Sequence, residues 1–290
     1  MARAWPVAKC CVRRAPMPEE PVNSAARDYS RGPGTIHPSA IVGAGAVVAD
    51  DVTIGPYAVI GDGVELGPGC SVGPHTVIAG RTRVGAGTRI FQFASIGDEP
   101  QDKKFAGEDS ELVIGCNNTI REFATINRGT REGGGVTRLG DDNWLMAYVH
   151  VAHDCQVGSH CVFANATTLA GHVVVGDHVT FAGFSGAHQF CRIGDHAFLG
   201  MYGGVGQDVP AYVMISGRPP RPRGINSEGL RRRGFDARQI RNIREAYKIV
   251  YRQGMAQEEA LDLLRDRLDE QPELEPFISS IEAGRRGLLR

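Results

Sequence analysis

The chain has 290 residues, a formal net charge of -1 and 22% charged side chains. That length allows one or two domains. The charge balance gives no global attraction to nucleic acid or to an anionic membrane, and no run of about 18 apolar residues exists to span a bilayer.

Residues 1–34 carry no periodic pattern. Arg3, Lys9, Arg13 and Arg14 precede the first acid, Glu19. This shares the basic character of an organellar transit peptide and lacks the apolar core of a secretory signal. The expectation is a disordered tail or an over-extended start, with Met17 as an alternative initiator.

From Ile36 an aliphatic residue recurs every six positions: Val42, Val48, Ile54, Ile60, Leu66, Val72, Ile78, Val84, Ile90 and Ile96. A small residue follows four places later, as in Ala40, Ala46, Val52, Ala58, Val64 and Cys70. Hexads of this kind predict a parallel β-helix. Three hexads make one coil of a three-sided prism, so residues 18 apart stack on one face. No coil buries its inward face alone, and the stack stabilises itself through neighbours. Such prisms are left-handed as a class, against the right-handed rule for parallel crossovers; the period itself does not reveal the hand.

The 38 glycines are assigned to coil corners by this period. Cys70, Cys155, Cys161 and Cys191 fall on the small inward position, where a thiol behaves as a small hydrophobe. With Cys10, Cys11 and Cys116 they form no disulfide framework, which points to reduced thiols and a cytoplasmic location.

The period breaks twice, near 97–113 and 127–138, and both stretches read as loops thrown out of the prism. Long excursions from a rigid scaffold are often functional. The first carries Gln101, Asp102, Lys103 and Lys104. Regular hexads then run from Leu145 through Val151, Leu169 and Ala187 to Val205, giving a prism over 35–215. The segment YVMISGRPPRPRG reads as a Pro-rich connector. A helical domain is expected over 216–290. Asp236 is the predicted N-cap of a helix that Gly254 ends. EEALDLLRDRLDE gives a second helix, stopped near Pro272, and ELEPFISSIEAGRRGLL a third.

Residues His153, His172 and His188 fall on three successive coils, within about 10 Å by the inter-strand spacing. No other stretch of the sequence concentrates imidazoles in this way. Two chemistries fit. A histidine oriented by a carboxylate such as Asp154 acts as general base on a hydroxyl. Alternatively, three histidines bind Zn²⁺ with an open fourth position, as in a carbonic-anhydrase-like hydratase. A third reading is a non-enzymatic β-helix that only binds.

The run from Asn143 to Val213 is similar to the bacterial acyl-carrier-protein–UDP-N-acetylglucosamine O-acyltransferases, which begin lipid A synthesis. So are FQFASIG, TINRGT, INSEGLRRRGF and the terminal RGLLR, and the similarity covers about residues 36–290. The N-acyltransferase of the same pathway and serine acetyltransferase each place a domain before their coils, and hexads that start at Ile36 leave no room for one.

The resemblance implies His153 as general base, Asp154 as its orienting carboxylate and the Gly171 N–H as oxyanion donor. It implies substrate binding by Gln101, Asp102, Lys104, His150, His172, His188 and Gln189. Asn226, Glu228, Arg232 and Arg233 match the family's nucleotide-side residues, where guanidinium forks suit a diphosphate. Met201 matches the position that ends the acyl groove. The partners implied are 3-hydroxyacyl carrier protein, UDP-N-acetylglucosamine and two further copies in a homotrimer. Arg231, Arg232, Arg233, Arg238, Arg241 and Arg244 form a basic surface for the acidic carrier. No cofactor and no metal ligand are assigned.

Overall fold

The computed structural model describes residues 34–290. The expectations for residues 1–33, Cys10, Cys11 and Met17 included, lie outside the described residues. The rest is a left-handed parallel β-helix followed by short helices.

The prism has three faces. The first holds nine strands, from Ile41–Val42 to Gly204–Val205; the second holds eight, from Val47–Val48 to Arg192–Ile193; the third holds ten, from Thr53–Ile54 to Arg221–Ile225. Parallel pairing puts Ile126, Val151, Leu169 and Ala187 in one register across successive coils. The aliphatic positions from Ile54 onward point inward and are buried. Each such side chain contributes roughly 1.5–3 kcal/mol when fully removed from water. Phe163 and Phe181 stack inside with ring centroids 5.0 Å apart.

The inward thiols are buried and free. Burial pushes the Cys155 and Cys161 thiols up to about 12, leaving them without nucleophilic character at neutral pH.

The corners follow a rule that the composition did not reveal. At most turns from Tyr57 onward one residue adopts a left-handed backbone, and it is often a ring-bearing residue rather than glycine: Tyr57, His75, Phe93, Phe123 and Tyr148 all have φ between 56° and 65°. Their rings stack from coil to coil along the corner between the third and first faces, with centroids 4.9–5.3 Å apart. Stacking of this kind is worth about 0.5–1.5 kcal/mol per pair and offsets the left-handed strain. The hexad glycines answer a different need. A Cβ on Gly73 would stand 2.5 Å from the Gln92 nitrogen of the next coil, so close backbone approach excludes a side chain.

A second row of imidazoles runs along the corner between the second and third faces. His160, His178 and His196 stack with centroids 4.7–4.8 Å apart. The His153 region is therefore not the one place where imidazoles gather.

Several boundaries differ from expectation. Pairing resumes at Glu111 and at Val136, so the excursions are confined to 99–110 and 128–135. YVMISGRPPRPRG is a strand–turn–strand unit, Val213–Ser216 against Arg221–Ile225, antiparallel at the sheet edge. The helices are α1 (Ser227–Arg232), α2 (Ala237–Arg252), α3 (Gln257–Arg265) and α4 (Glu275–Glu282). Asp236 caps α2 with a full capping box through Gln239. α3 stops at Arg265, short of the expected stretch. A 3-10 turn, Pro272–Leu274, opens the last helix, and its GRRGLL tail runs back to the prism, where Leu288 bridges Asp208.

Candidate active site

The site is built at the corner between the first and second faces. Both excursions leave the prism there, between Ser95–Asp98 and Glu111–Ile114 and between Thr125–Asn127 and Val136–Leu139. The next coil turns the same corner with His153 and Asp154, and the one after with Gly171 and His172.

The side chain of Asp154 has no solvent exposure, whereas that of His153 keeps 14%. A buried carboxylate needs donors, and this one has three. Oδ1 accepts from the Thr130 N–H at 2.8 Å, while Oδ2 accepts from the Thr130 hydroxyl at 2.6 Å and from His153 Nδ1 at 2.8 Å. The Asp154 N–H in turn donates to Thr137 Oγ1 at 2.7 Å. Because the carboxylate only accepts, Nδ1 of His153 carries the proton. Nε2 is left with a lone pair.

Gly171 lies flat against this imidazole. A Cβ there would stand 2.6 Å from Cε1 and 2.7 Å from Nε2 of His153. The Gly171 N–H has no acceptor among the described residues, while its carbonyl accepts from the Phe190 N–H at 3.2 Å. A free N–H beside the basic nitrogen is the geometry an oxyanion needs.

His172 meets His153 edge-on, with centroids 5.1 Å apart, and stacks on Phe190. Burial holds it below its ordinary range in spite of Asp154. His150 lies outward on the first face with Nδ1 2.7 Å from Thr125 Oγ1, and burial, with the neighbouring His153, lowers it too. Both are therefore neutral at pH 7, fit to bind hydroxyls rather than anions.

Lys104 and Asp102 are brought to this corner by the first excursion. Lys104 Nζ lies 3.7 Å from Glu132, and the Asp102 carboxylate caps the Lys104 N–H at 3.0 Å. Gln101 is exposed beside them. His188 and Gln189 are exposed further along the same corner; His188 Nδ1 sits 3.4 Å from the Arg286 guanidinium. A pocket of about 320 Å³ joins Glu132, Gly133, His172, Phe190, Arg192 and Arg285.

One chain does not bring the remaining residues here. Asn226 caps α1 and donates to the His196 carbonyl at 3.0 Å, at the corner between the second and third faces. Glu228 pairs with both Arg231 and Arg232. Arg233 is half-buried near His178 and His196, and burial lowers it from the usual guanidinium range. Met201 stands at the third corner, between third and first faces, 57% exposed.

The three-histidine zinc set does not assemble. Among the described residues the group whose ligand atoms come within 4.8 Å is His153, Asp154 and His172, without His188. Asp154 is moreover already engaged by Thr130 and His153.

Several residues of the site were not singled out in the sequence: Thr130, Glu132, Gly133, Thr137, Arg192, Arg285 and Arg286. Thr130 closes the TINRGT motif and Arg286 opens RGLLR, so the motifs pointed to the segments without assigning these side chains a task.

The hexapeptide prism with a carboxylate-held histidine at its corner is that of a hexapeptide transferase. Residues 33–68 and 137–171 match the bacterial transferase hexapeptide repeat, and residues 208–289 match the family described as Udp N-acetylglucosamine O-acyltransferase, domain 2. The acyl-[acyl-carrier-protein]–UDP-N-acetylglucosamine O-acyltransferase of Stenotrophomonas maltophilia (strain K279a) is 54% identical over 256 residues, 88% of this chain and 97% of that one. The solved LpxA of Acinetobacter baumannii is similar with a TM-score of 0.86 and 45% identity, over 88% of this chain and 99% of that one. The UDP-N-acetylglucosamine acyltransferase of Francisella novicida gives a TM-score of 0.87 at 44% identity, over 88% and 94%.

The chain belongs to the acyl-[acyl-carrier-protein]–UDP-N-acetylglucosamine O-acyltransferase family, and it is an enzyme.

Proposed function

We propose that the protein transfers an (R)-3-hydroxyacyl group from acyl carrier protein to the 3-hydroxyl of UDP-N-acetylglucosamine, the first step of lipid A synthesis, in the cytoplasm. The observation that carries the mechanism is the chain Thr130–Asp154–His153, which fixes the tautomer and leaves Nε2 as acceptor. Nε2 takes the proton of the sugar 3-hydroxyl as that oxygen attacks the thioester carbonyl. The Gly171 N–H receives the developing oxyanion. The intermediate collapses with loss of the carrier thiolate, which recovers the proton from the His153 imidazolium. Lys104, Asp102 and Gln101 bind the acceptor, with His150, His172, His188 and Gln189 lining the cleft.

A homotrimer completes the site. Asn226, Glu228, Arg232 and Arg233 reach the nucleotide of a neighbouring subunit, since within one chain they stand at another corner. The exposed ring row of Tyr57, Phe93, Phe123 and Tyr148 supports such packing, because an apolar ridge of that length calls for a partner. Arg232 and Arg233 serve the nucleotide, which leaves Arg231, Arg238, Arg241 and Arg244 as exposed cations for carrier docking.

His153→Ala tests the reading. The trimer stays folded and kcat falls roughly 10²–10⁴-fold, the range for a lost general base. Near-normal turnover would remove His153 from the chemistry.

A further inference from the structure

The edge strand Arg221–Ile225 and α2 enclose a cleft of about 220 Å³ that uses no residue of the His153 corner. Arg221 and Arg223 line it from the strand, Arg252 from the end of α2 and Arg290 from the chain terminus. Tyr247 and Tyr251 form its wall, one helical turn apart, with ring centroids 4.8 Å from each other.

Two features of this cleft are unbalanced. Tyr247 is only 5% exposed, and neither its hydroxyl nor that of Tyr251 has a hydrogen-bond partner among the described residues, although both oxygens are shielded from solvent. A shielded hydroxyl without an acceptor is unfavourable, and an oxygen-bearing ligand beside it would relieve that cost. The guanidiniums are equally underused. Arg221 reaches the main-chain oxygen of Arg290 at 3.4 Å and Arg223 reaches that of Ser216 at 3.4 Å, both long. The side chains of Arg252 and Arg290 make no hydrogen bond or ion pair among the described residues, and no carboxylate side chain lines the cleft. The main-chain carboxyl of Arg290 is the one anionic group of the lining residues, so four guanidiniums leave positive charge in excess, and like charges repel.

We propose that this cleft binds a phosphate-class anion, inorganic phosphate or a phosphate monoester. The donors present, several guanidinium forks and two phenols, outnumber the two oxygens of a carboxylate and suit a tetrahedral group with three or four. The phenols supply the neutral donors at the base of the cleft and the arginines the charge at its rim. The site is separate from acyl transfer and stands or falls without it.

Titration calorimetry of the full-length protein with sodium phosphate at constant ionic strength, with sodium chloride as control, tests this. The wild type binds phosphate and not chloride, and its thermal midpoint rises with phosphate by mass action. Arg223→Ala with Arg252→Ala weakens phosphate binding roughly tenfold or more, the scale of losing charged hydrogen bonds. Tyr247→Phe folds normally, because its hydroxyl has no partner among the described residues, yet binds phosphate several-fold more weakly. Should the arginine pair fail to fold, Tyr247→Phe decides alone. Phosphate that binds no better than chloride, or that binds both variants as it binds the wild type, overturns the assignment.

Discussion

Gly171 is pressed against His153 so closely that a single methyl would lie 2.6 Å from its Cε1. The imidazole is pinned at the other end by the 2.8 Å bond from Nδ1 to Asp154. It can yield to a new methyl only by tilting Nε2 away from the attacking hydroxyl. Gly171→Ala is therefore expected to lower kcat roughly 10²-fold, the cost of displacing a reacting group by about 1 Å. Steady-state kinetics with circular dichroism as a check of folding measure this. A variant that turns over like the wild type would show that the ring has room.

Thr130 acts through Asp154. Its hydroxyl stands 2.6 Å from the same Oδ2 that holds His153. Thr130→Val keeps the shape and removes that donor, leaving the N–H bond to Oδ1. Loss of a group behind a catalytic pair costs about tenfold, and it should appear in kcat with little change in KM. Thr130→Ser restores the hydroxyl and should recover most of the rate. A Val variant that keeps its rate while the Ser variant loses it would mean that the methyl packing, not the hydrogen bond, matters.

What the sequence displayed and what it hid have physical reasons. The inward hexad positions were legible because each coil repeats one demand, an aliphatic residue facing a closed interior; Ile126, Val151 and Leu169 meet it in register. His153, Asp154 and His172 share a corner because the period fixes the position of each, whereas Lys104 lies on an excursion where the period gives no position. The ring rows were not legible. Tyr148 tolerates a left-handed backbone because Phe123 stacks on it from the previous coil, a tertiary contact across the second excursion. The strand Arg221–Ile225 was hidden by Pro222, which removes a ladder donor. It is acceptable there because this strand is the edge of its sheet. The nucleotide-side residues came from the motif INSEGLRRRGF alone, and no period could show that within one chain they stand at another corner, where Asn226 caps α1 and donates to the His196 carbonyl.

The stacked imidazoles make stability depend on pH. Burial, with His178 and Arg233 nearby, brings His196 down to about 4 in the folded protein. The unfolded value is about 6.5. Between the two, the unfolded chain binds the proton and the folded one does not, so stability falls as pH drops from about 6.5 towards 4. His178 is lowered as well and acts in the same direction. His196→Phe keeps a ring at a left-handed corner, as Phe93 and Phe184 do, and should flatten the dependence. Thermal midpoints measured from pH 4 to 7 for both proteins give the comparison; identical slopes would clear His196 of the effect.

Lys104 is expected to bind rather than react. Its ammonium is 75% exposed and meets Glu132 at 3.7 Å, a surface pair worth little to the fold. Lys104→Ala should leave the melting temperature within about 1 °C and raise the KM for the nucleotide sugar more than it lowers kcat. A loss confined to kcat would place the ammonium in the chemical step.

Met201 is the last residue whose role the family likeness implies, and the structure gives that role a shape. It stands at the corner between the third and first faces, next to Tyr202, which stacks on Phe184. Its terminal methyl reaches to 3.7 Å from where a Cβ on Gly183 would lie, so the side chain covers the bare backbone of the preceding coil. At 57% exposure it projects outward, towards the groove that a neighbouring subunit would close. A thioether filling the end of such a groove excludes methylenes, each worth about 0.8 kcal/mol when buried. The expected donor is thus a medium-length 3-hydroxyacyl chain, and it is the family resemblance, not this geometry, that puts it at about ten carbons. Met201→Gly would uncover Gly183, lengthen the groove and move the preference towards longer chains. Because Met201 is exposed and touches little, its removal should not disturb folding, so a changed profile reports the groove itself. The measurement is kcat/KM across a donor series for both proteins. A wild type that favours ~14 carbons, or a variant with the same profile as the wild type, would falsify the role of Met201 in setting chain length.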